Sequence, residues 1–130
     1  MLQLIKDLPQ HVVGVRAVGH VGKEDYEQTF MPAIEKVANE FGEINLLMLL
    51  ETEITNFSYG AWMRDAKVSL KHFAQWHKVA IVTDQKVIER ISHILSFLSP
   101  AEVKGFPVSD AELAKVWVAA PKEKEKKHNA

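Results

Sequence analysis

The spacing of apolar residues switches repeatedly along this chain between a period of two and a period near three and a half, and the switches divide it into short strands and longer helices. Leu2-Gln3-Leu4-Ile5 alternates, and His11 to Val18 is a second run rich in β-branched residues, with Asp7-Leu8-Pro9-Gln10 between them. That arrangement predicts an opening hairpin. From Gly22 the period lengthens: Tyr26, Phe30, Ile34, Val37 and Phe41 mark one face of a helix that Gly42 can terminate. Pro32 lies inside this pattern, where it removes a backbone donor and crowds the previous turn, so a kink or a new helix start near Met31 is expected.

Ile44 to Leu50 is almost unbroken in apolarity and bounded by acids, which predicts a central strand covered on both faces. After a polar connection, Trp62, Ala66, Ser69 or Leu70, and Phe73 recur at helical spacing, and Val79 to Thr83 reads as another buried strand. Val87, Ile88, Ile91, Ile94, Leu95 and Leu98 give a third helix, from about Gln85 to Phe97, a core-facing stripe. Pro100 stops it, and Glu102 to Phe106 supply a short final strand. Ser109-Asp110-Ala111-Glu112 then matches a capping box ahead of a last helix faced by Leu113, Val116 and Trp117. Residues 1–120 form one domain on this reading, with no repeat or internal linker, and residues 121–130 form a disordered charged tail. The element order predicts an α/β layer: a mixed, mostly parallel sheet of about five strands, joined by right-handed crossovers to about four helices.

Composition narrows the function classes. Sixteen Lys plus Arg against seventeen Asp plus Glu leave a net charge of −1, without the broad positive field that nucleic-acid binding requires. The chain has no cysteine, which removes disulfides, thiolate zinc sites, iron–sulfur clusters and cysteine nucleophiles together. Met1 to Asp7 lacks a basic stretch leading into an apolar core, and no run approaches the roughly 18 apolar residues of a membrane span. A cytoplasmic location is the expectation.

The order of elements, together with particular fragments, resembles the SpoIIAA-like family of small bacterial proteins. The fragments are Val21 to Tyr26 entering the first helix, the apolar strand after Ile44, Ala61 to Lys67 in the second helix, Lys78 to Asp84, and Val103 to Phe106 followed by Ala114 to Trp117. The family shares its fold with the STAS domains of anti-sigma-factor antagonists and is similar to the CRAL-TRIO lipid carriers. The resemblance covers Met1 to about Ala120 and implies a mixed sheet with helices packed on it, but no activity. STAS regulators have an Asp-Ser-Ser-Gly-like turn before the helix that follows a central strand, with a serine there taking phosphate. Thr55-Asn56-Phe57-Ser58-Tyr59-Gly60 stands in its place, keeping a serine and a glycine and losing the aspartate and the serine pair.

Ser58 is therefore the candidate regulatory hydroxyl. A helix N-terminus can hold a phosphate, although a serine there is also a favoured cap, and Glu51 and Glu53 would repel added charge. Asp65, Ser69 and His72 share one face of the second helix, but parallel side chains on one helix do not converge as a catalytic triad does. Asp65 stands apart from that set, because an i, i+2 pairing with Lys67 is poorly aligned and its partner must come from elsewhere. Six histidines show no metal-ligand spacing, and no glycine loop suits a phosphate or dinucleotide. No cofactor or metal is expected. Phe57, Tyr59, Trp62 and Trp76 could line a partner surface, or could close the core from above.

These readings lead to a non-enzymatic cytosolic binding or regulatory module that recognises a protein partner through the loop and helix around residues 52–76. Phe57, Tyr59, Trp62, Asp65 and Trp76 would make the contact and Ser58 would modulate it. The alternative is a carrier or sensor of a small amphipathic or lipid-like ligand held between sheet and helices. A homodimer through an exposed helix face or the hairpin edge is compatible with either.

Overall fold

The computed structural model describes residues 1–86 and 100–121. The chain opens with β1 (Leu2–Ile5) and β2 (Val12–Ala17), paired antiparallel as the alternation predicts, with Leu2 opposite Ala17 and Ile5 opposite Gly14. Val12 N–H closes the intervening turn on the Pro9 carbonyl at 3.0 Å. β2 runs parallel to β3 (Ile44–Leu50), β3 to β4 (Trp76–Val82) and β4 to β5 (Glu102–Phe106). Spatial order thus follows chain order and places β3 at the centre. Covered on both faces and paired on both edges, β3 is buried along nearly its whole length, which is why its sequence shows no alternation.

The first helix is one continuous run made of α1 (Lys23–Asp25), a π-helical turn (Tyr26–Phe30) and α2 (Met31–Phe41). Pro32 accounts for the change of register. It has no N–H to return to Gln28, and its ring would crowd that carbonyl in an unbroken α-helix. The turn widens instead, and Met31 N–H bonds to the Tyr26 carbonyl five residues back. Pro32 then falls in the first turn of α2, where proline is tolerated, so the predicted new start near Met31 is present. The wide turn also holds Tyr26, Phe30 and Ile34, spaced four apart, on one buried face. Gly42 ends α2 with φ +73°, a conformation open to glycine, and its N–H meets the Ala38 carbonyl at 3.0 Å. Phe41 departs from expectation: it is exposed, with its ring edge-on to His11.

The second predicted helix is α3 (Tyr59–Lys71), and the last is α4 (Ala111–Ala119). These three helical runs stand among the described residues. The expected third helix over about Gln85–Phe97 lies almost wholly outside them, as does the tail beyond Pro121. The two sheet faces form two cores. Val13, Val15, Ala17, Leu46, Met48 and Leu50 meet Tyr26, Phe30, Ile34 and Val37 on one side. Val12, Leu47, Ala80, Val82 and Phe106 meet Ala114 and Val118 of α4 on the other.

α4 differs from the sequence reading at its start and on its face. No capping box forms: Val108–Asp110 make a 3-10 turn whose first N–H is bonded by Asp84 Oδ1 at 3.0 Å, and Glu112 pairs with Lys115 at 2.9 Å. Leu113 and Val116 face water, while the small residues Ala114 and Val118 are buried against the sheet. Gly14 lets the hairpin turn cover the same sheet face, because a Cβ there would overlap Leu8 Cδ1 and stand 3.0 Å from Ile5 Cβ. Gly14→Val should therefore destabilise the fold by about 1–3 kcal/mol through overpacking, read as a lower urea midpoint at unchanged slope.

Candidate functional site

β3 leads into the connection that the sequence singles out. Thr52 is buried at its start: Oγ1 accepts from Asn56 Nδ2 at 2.6 Å, and its carbonyl accepts from Gln85 Nε2 at 2.9 Å. A 3-10 turn (Ile54–Asn56) then delivers Phe57 to a parallel bridge with Val21, made by Val21 N–H on the Asn56 carbonyl (3.0 Å) and Ser58 N–H on the Val21 carbonyl (2.8 Å). Backbone bonds thus fix the end of the loop that enters α3, and side-chain bonds fix the end at Thr52. Ser58 Oγ accepts from Ala61 N–H at 3.0 Å, which is the N-cap of α3.

α3 packs closely on the first helix, since a Cβ on Gly60 would lie only 3.1 Å from Lys23 Cβ. The approach lets the buried Tyr26 hydroxyl donate to the Asp65 carboxyl. Here is the partner that Asp65 needed from elsewhere. Burial disfavours the carboxylate and lifts the Asp65 pKa to about 6, against the opposing effect of the Tyr26 bond. Burial first, then the Asp65 charge and bond, push the Tyr26 phenol well above its ordinary value. Two ion pairs join the same helices, Arg64 to Glu27 at 3.6 Å and Lys71 to Glu35 at 2.8 Å, and the Lys71 bond holds the Glu35 carboxyl below the usual range. The sequence pattern places Tyr26 on the core face, and its hydroxyl is the signal that points to a polar neighbour, because a buried phenol requires one.

The outer side of α3 carries the least expected feature. Tyr59 is 77% exposed, Met63 48% and Leu70 73%, with Phe73 at 47% in the following 3-10 turn (Phe73–Gln75). Together with exposed Ala66, they fall at i, i+4, i+7, i+11 and i+14, an apolar stripe facing water while Ala61 on the far side is buried. The recurrence of Ala66, Leu70 and Phe73 is real, but these residues do not face the core. Phe57 and Trp76 reverse the other way: both are buried in the core, Trp76 as the first residue of β4, so neither presents a ring to a partner. Tyr59 remains as the exposed member of that set. Trp62 lies in α3, its side chain outside those described. Asp65 is engaged with Tyr26, and His72 Nδ1 meets Gln75 Oε1 at 2.9 Å, while the Ser69 side chain lies outside those described.

A second polar group gathers at the opposite end of the sheet, around a cavity of about 280 Å³ lined by His11, Glu43, Asn45, His77 and residues 119–121. Buried Asn45 donates to the His11 carbonyl at 3.3 Å, which turns its Oδ1 toward His77 Nδ1 at 2.7 Å and so places a proton on that nitrogen. His77 Nε2 lies 3.7 Å from Glu43 Oε2, and His11 Nε2 meets the Ala119 carbonyl at 3.0 Å. Parallel pairing of β2, β3 and β4 brings these residues to one end, a relation invisible in their sequence spacing. A separate groove of about 440 Å³ runs between β1–β2 and α2, with Leu4, Val13, Ala33 and Val37 along it and Lys6 and Lys36 among its lining. Among the described residues no cluster of histidines and carboxylates is arranged to hold a metal, and no helix is long and apolar enough to cross a membrane.

Five strands in chain order, one helical run on each side of the loop at their carboxyl ends, and a solvent-facing apolar helix stripe define a small α/β domain whose distinctive surface is a helix face. The family model described as SpoIIAA-like matches residues 12–119, and the chain belongs to that family. Its fold is similar to that of an uncharacterized DUF3478-family protein with a SpoIIAA-like fold from Shewanella loihica PV-4, at 24% identity and a TM-score of 0.66, over 91% of this chain and 93% of the other. None of the curated proteins compared with it matches in sequence.

Proposed function

We propose that this chain is a non-enzymatic cytoplasmic binding or regulatory module that recognises a protein partner through the loop and α3, around residues 52–76. The apolar stripe of Tyr59, Met63, Ala66, Leu70 and Phe73 carries the reading. Single exposed apolar residues are ordinary, but a contiguous row of large ones on one helix face is the form that partner-binding surfaces take. Tyr59 supplies aromatic contact area at the start of the stripe. Ser58 supports a regulatory role, because a phosphate on Oγ would displace the cap to Ala61 and add charge close to Glu51 and Glu53, altering the helix start from which Tyr59 projects.

Met63→Glu combined with Leu70→Glu tests the contact. Both side chains already face water, so the melting temperature should hold while affinity for a partner captured by the wild-type chain, then purified, falls at least tenfold. Equal affinity of the folded variant would remove this reading.

A second reading has its own observation. The groove between β1–β2 and α2 pairs an apolar floor with Lys6, Lys36 and Glu40, which suits a small amphipathic molecule whose polar end meets the two lysines. Native mass spectrometry of freshly purified protein should then show a bound mass that Lys6→Glu with Lys36→Glu abolishes; a bare chain mass in the wild type removes the carrier.

A further inference from the structure

We propose that the α3 stripe is a homodimer contact, and that its occupant is a second copy of this chain docked about a two-fold axis at Ala66. The proposal rests on the reading of α3 as a contact surface and names the partner. A two-fold contact needs a patch complementary to itself. The stripe has that form: outward from Ala66, Met63 and Leu70 come first on either side, and Tyr59 and Phe73 come next. An axis through Ala66 therefore crosses two antiparallel α3 helices so that Met63 faces the partner's Leu70 and Tyr59 faces the partner's Phe73. Ala66 is the smallest residue of the row and stands at the crossing, where two helix backbones must approach most closely.

Charge and area support the same occupant. Arg64 and Lys71 border the stripe, but Glu27 and Glu35 of the same copy already neutralise them. Lys67 is the bordering cation without an ion pair among the described residues, and its long stem can lie over apolar surface with the ammonium in water. An acidic partner would find little free positive charge here, whereas a second apolar stripe meets its match. With large side chains each presenting on the order of 150–250 Å² when fully exposed, the row leaves roughly 450 Å² of apolar surface per copy. Two copies together bring about 900 Å² into contact, the size of a weak, reversible interface just below the roughly 1,200 Å² at which standard ones begin.

The absence of cysteine makes the geometry testable with one substitution. Ala66→Cys places a sole thiol on the proposed axis, and oxidation should yield a disulfide-linked dimer within the Cα separation that a disulfide spans. Glu24→Cys, exposed on the first helix, should stay largely uncross-linked under the same treatment. By light scattering the wild-type chain should show twice its 14.7 kDa mass at micromolar concentration, and Leu70→Glu should raise the dimer dissociation constant at least tenfold. A wild-type chain that stays monomeric, an Ala66→Cys chain that cross-links no faster than the control, or a dimer indifferent to Leu70→Glu would each overturn the proposal. None of these outcomes touches the broader reading of α3, which falls only if Met63→Glu with Leu70→Glu leaves heterologous partner binding unchanged.

Discussion

Lys78→Ala is expected to destabilise the protein by about 3–5 kcal/mol, the largest single-residue effect we anticipate outside the apolar cores. Lys78 is a buried cation on β4, on the sheet face that α4 covers. Its ammonium donates to the Trp117 carbonyl at 2.9 Å and the Pro121 carbonyl at 3.2 Å, and stands 4.6 Å from the centre of the Trp117 ring. Trp117 lies in the last turn of α4, where its carbonyl also accepts the Ala120 N–H at 3.2 Å, and Pro121 directly follows the helix, at the negative end of the dipole. The lysine thus acts as a C-terminal cap delivered from the sheet. Alanine removes the donors and leaves a cavity where the stem packed. Lys78→Met restores most of the volume without the charge and should lose only about 1–2 kcal/mol, because the methionine also avoids the desolvation that a buried ammonium suffers. Urea unfolding of the three proteins gives the comparison, and amide exchange near Ala119 and Ala120 should accelerate in both variants. A Lys78→Ala chain as stable as the wild type would show that Lys78 does not anchor the helix.

How much of this was legible in the sequence depended on whether a signal was local. β3 was read from Ile44 to Leu50 without error because a strand covered on both faces has no alternation to misjudge. Pro32 and Gly42 marked a register change and a helix end by chemistry that acts within one turn. The capping box at Ser109 failed although its pattern was complete, since Asp84 arrives from the far end of β4 and bonds Val108 first. The face of α3 failed for a related reason: the recurrence of Ala66, Leu70 and Phe73 gives an apolar row but cannot say whether the protein itself or something else covers it. Likewise Asp65 was recognisably in need of a partner, yet Tyr26 became that partner only because a π turn and Gly60 let two helices meet. The His11, Asn45 and His77 group is a product of parallel strand pairing alone.

Asp65→Asn should stabilise the protein near neutral pH and do so less and less as the solution is acidified. The sign follows from the direction of the shift. Folding raises the Asp65 pKa from 3.8 to about 6, so the folded state prefers the neutral carboxyl. The preference is fully satisfied below about pH 4, and the stability it contributes is lost as pH rises through about 6. At about 1.36 kcal/mol for each pH unit of displacement, the ionised carboxyl costs up to about 3 kcal/mol above pH 7. Asparagine carries no charge at any of these pH values, and its Oδ1 can still accept the Tyr26 hydroxyl, so it escapes the loss. Melting curves should show the variant ahead of the wild type by roughly 5–10 °C at pH 7.5 and nearly level with it at pH 4. The Lys71–Glu35 pair pulls the opposite way, weakening as Glu35 protonates, but it is common to both chains and cancels in the difference. Tyr26→Phe supplies the complementary control, because it removes the one bond that favours the Asp65 carboxylate and should enlarge the neutral-pH penalty. Parallel pH profiles for wild type and Asp65→Asn would mean that water reaches the carboxyl and that the seat of α3 on the first helix is looser than the Tyr26 bond implies.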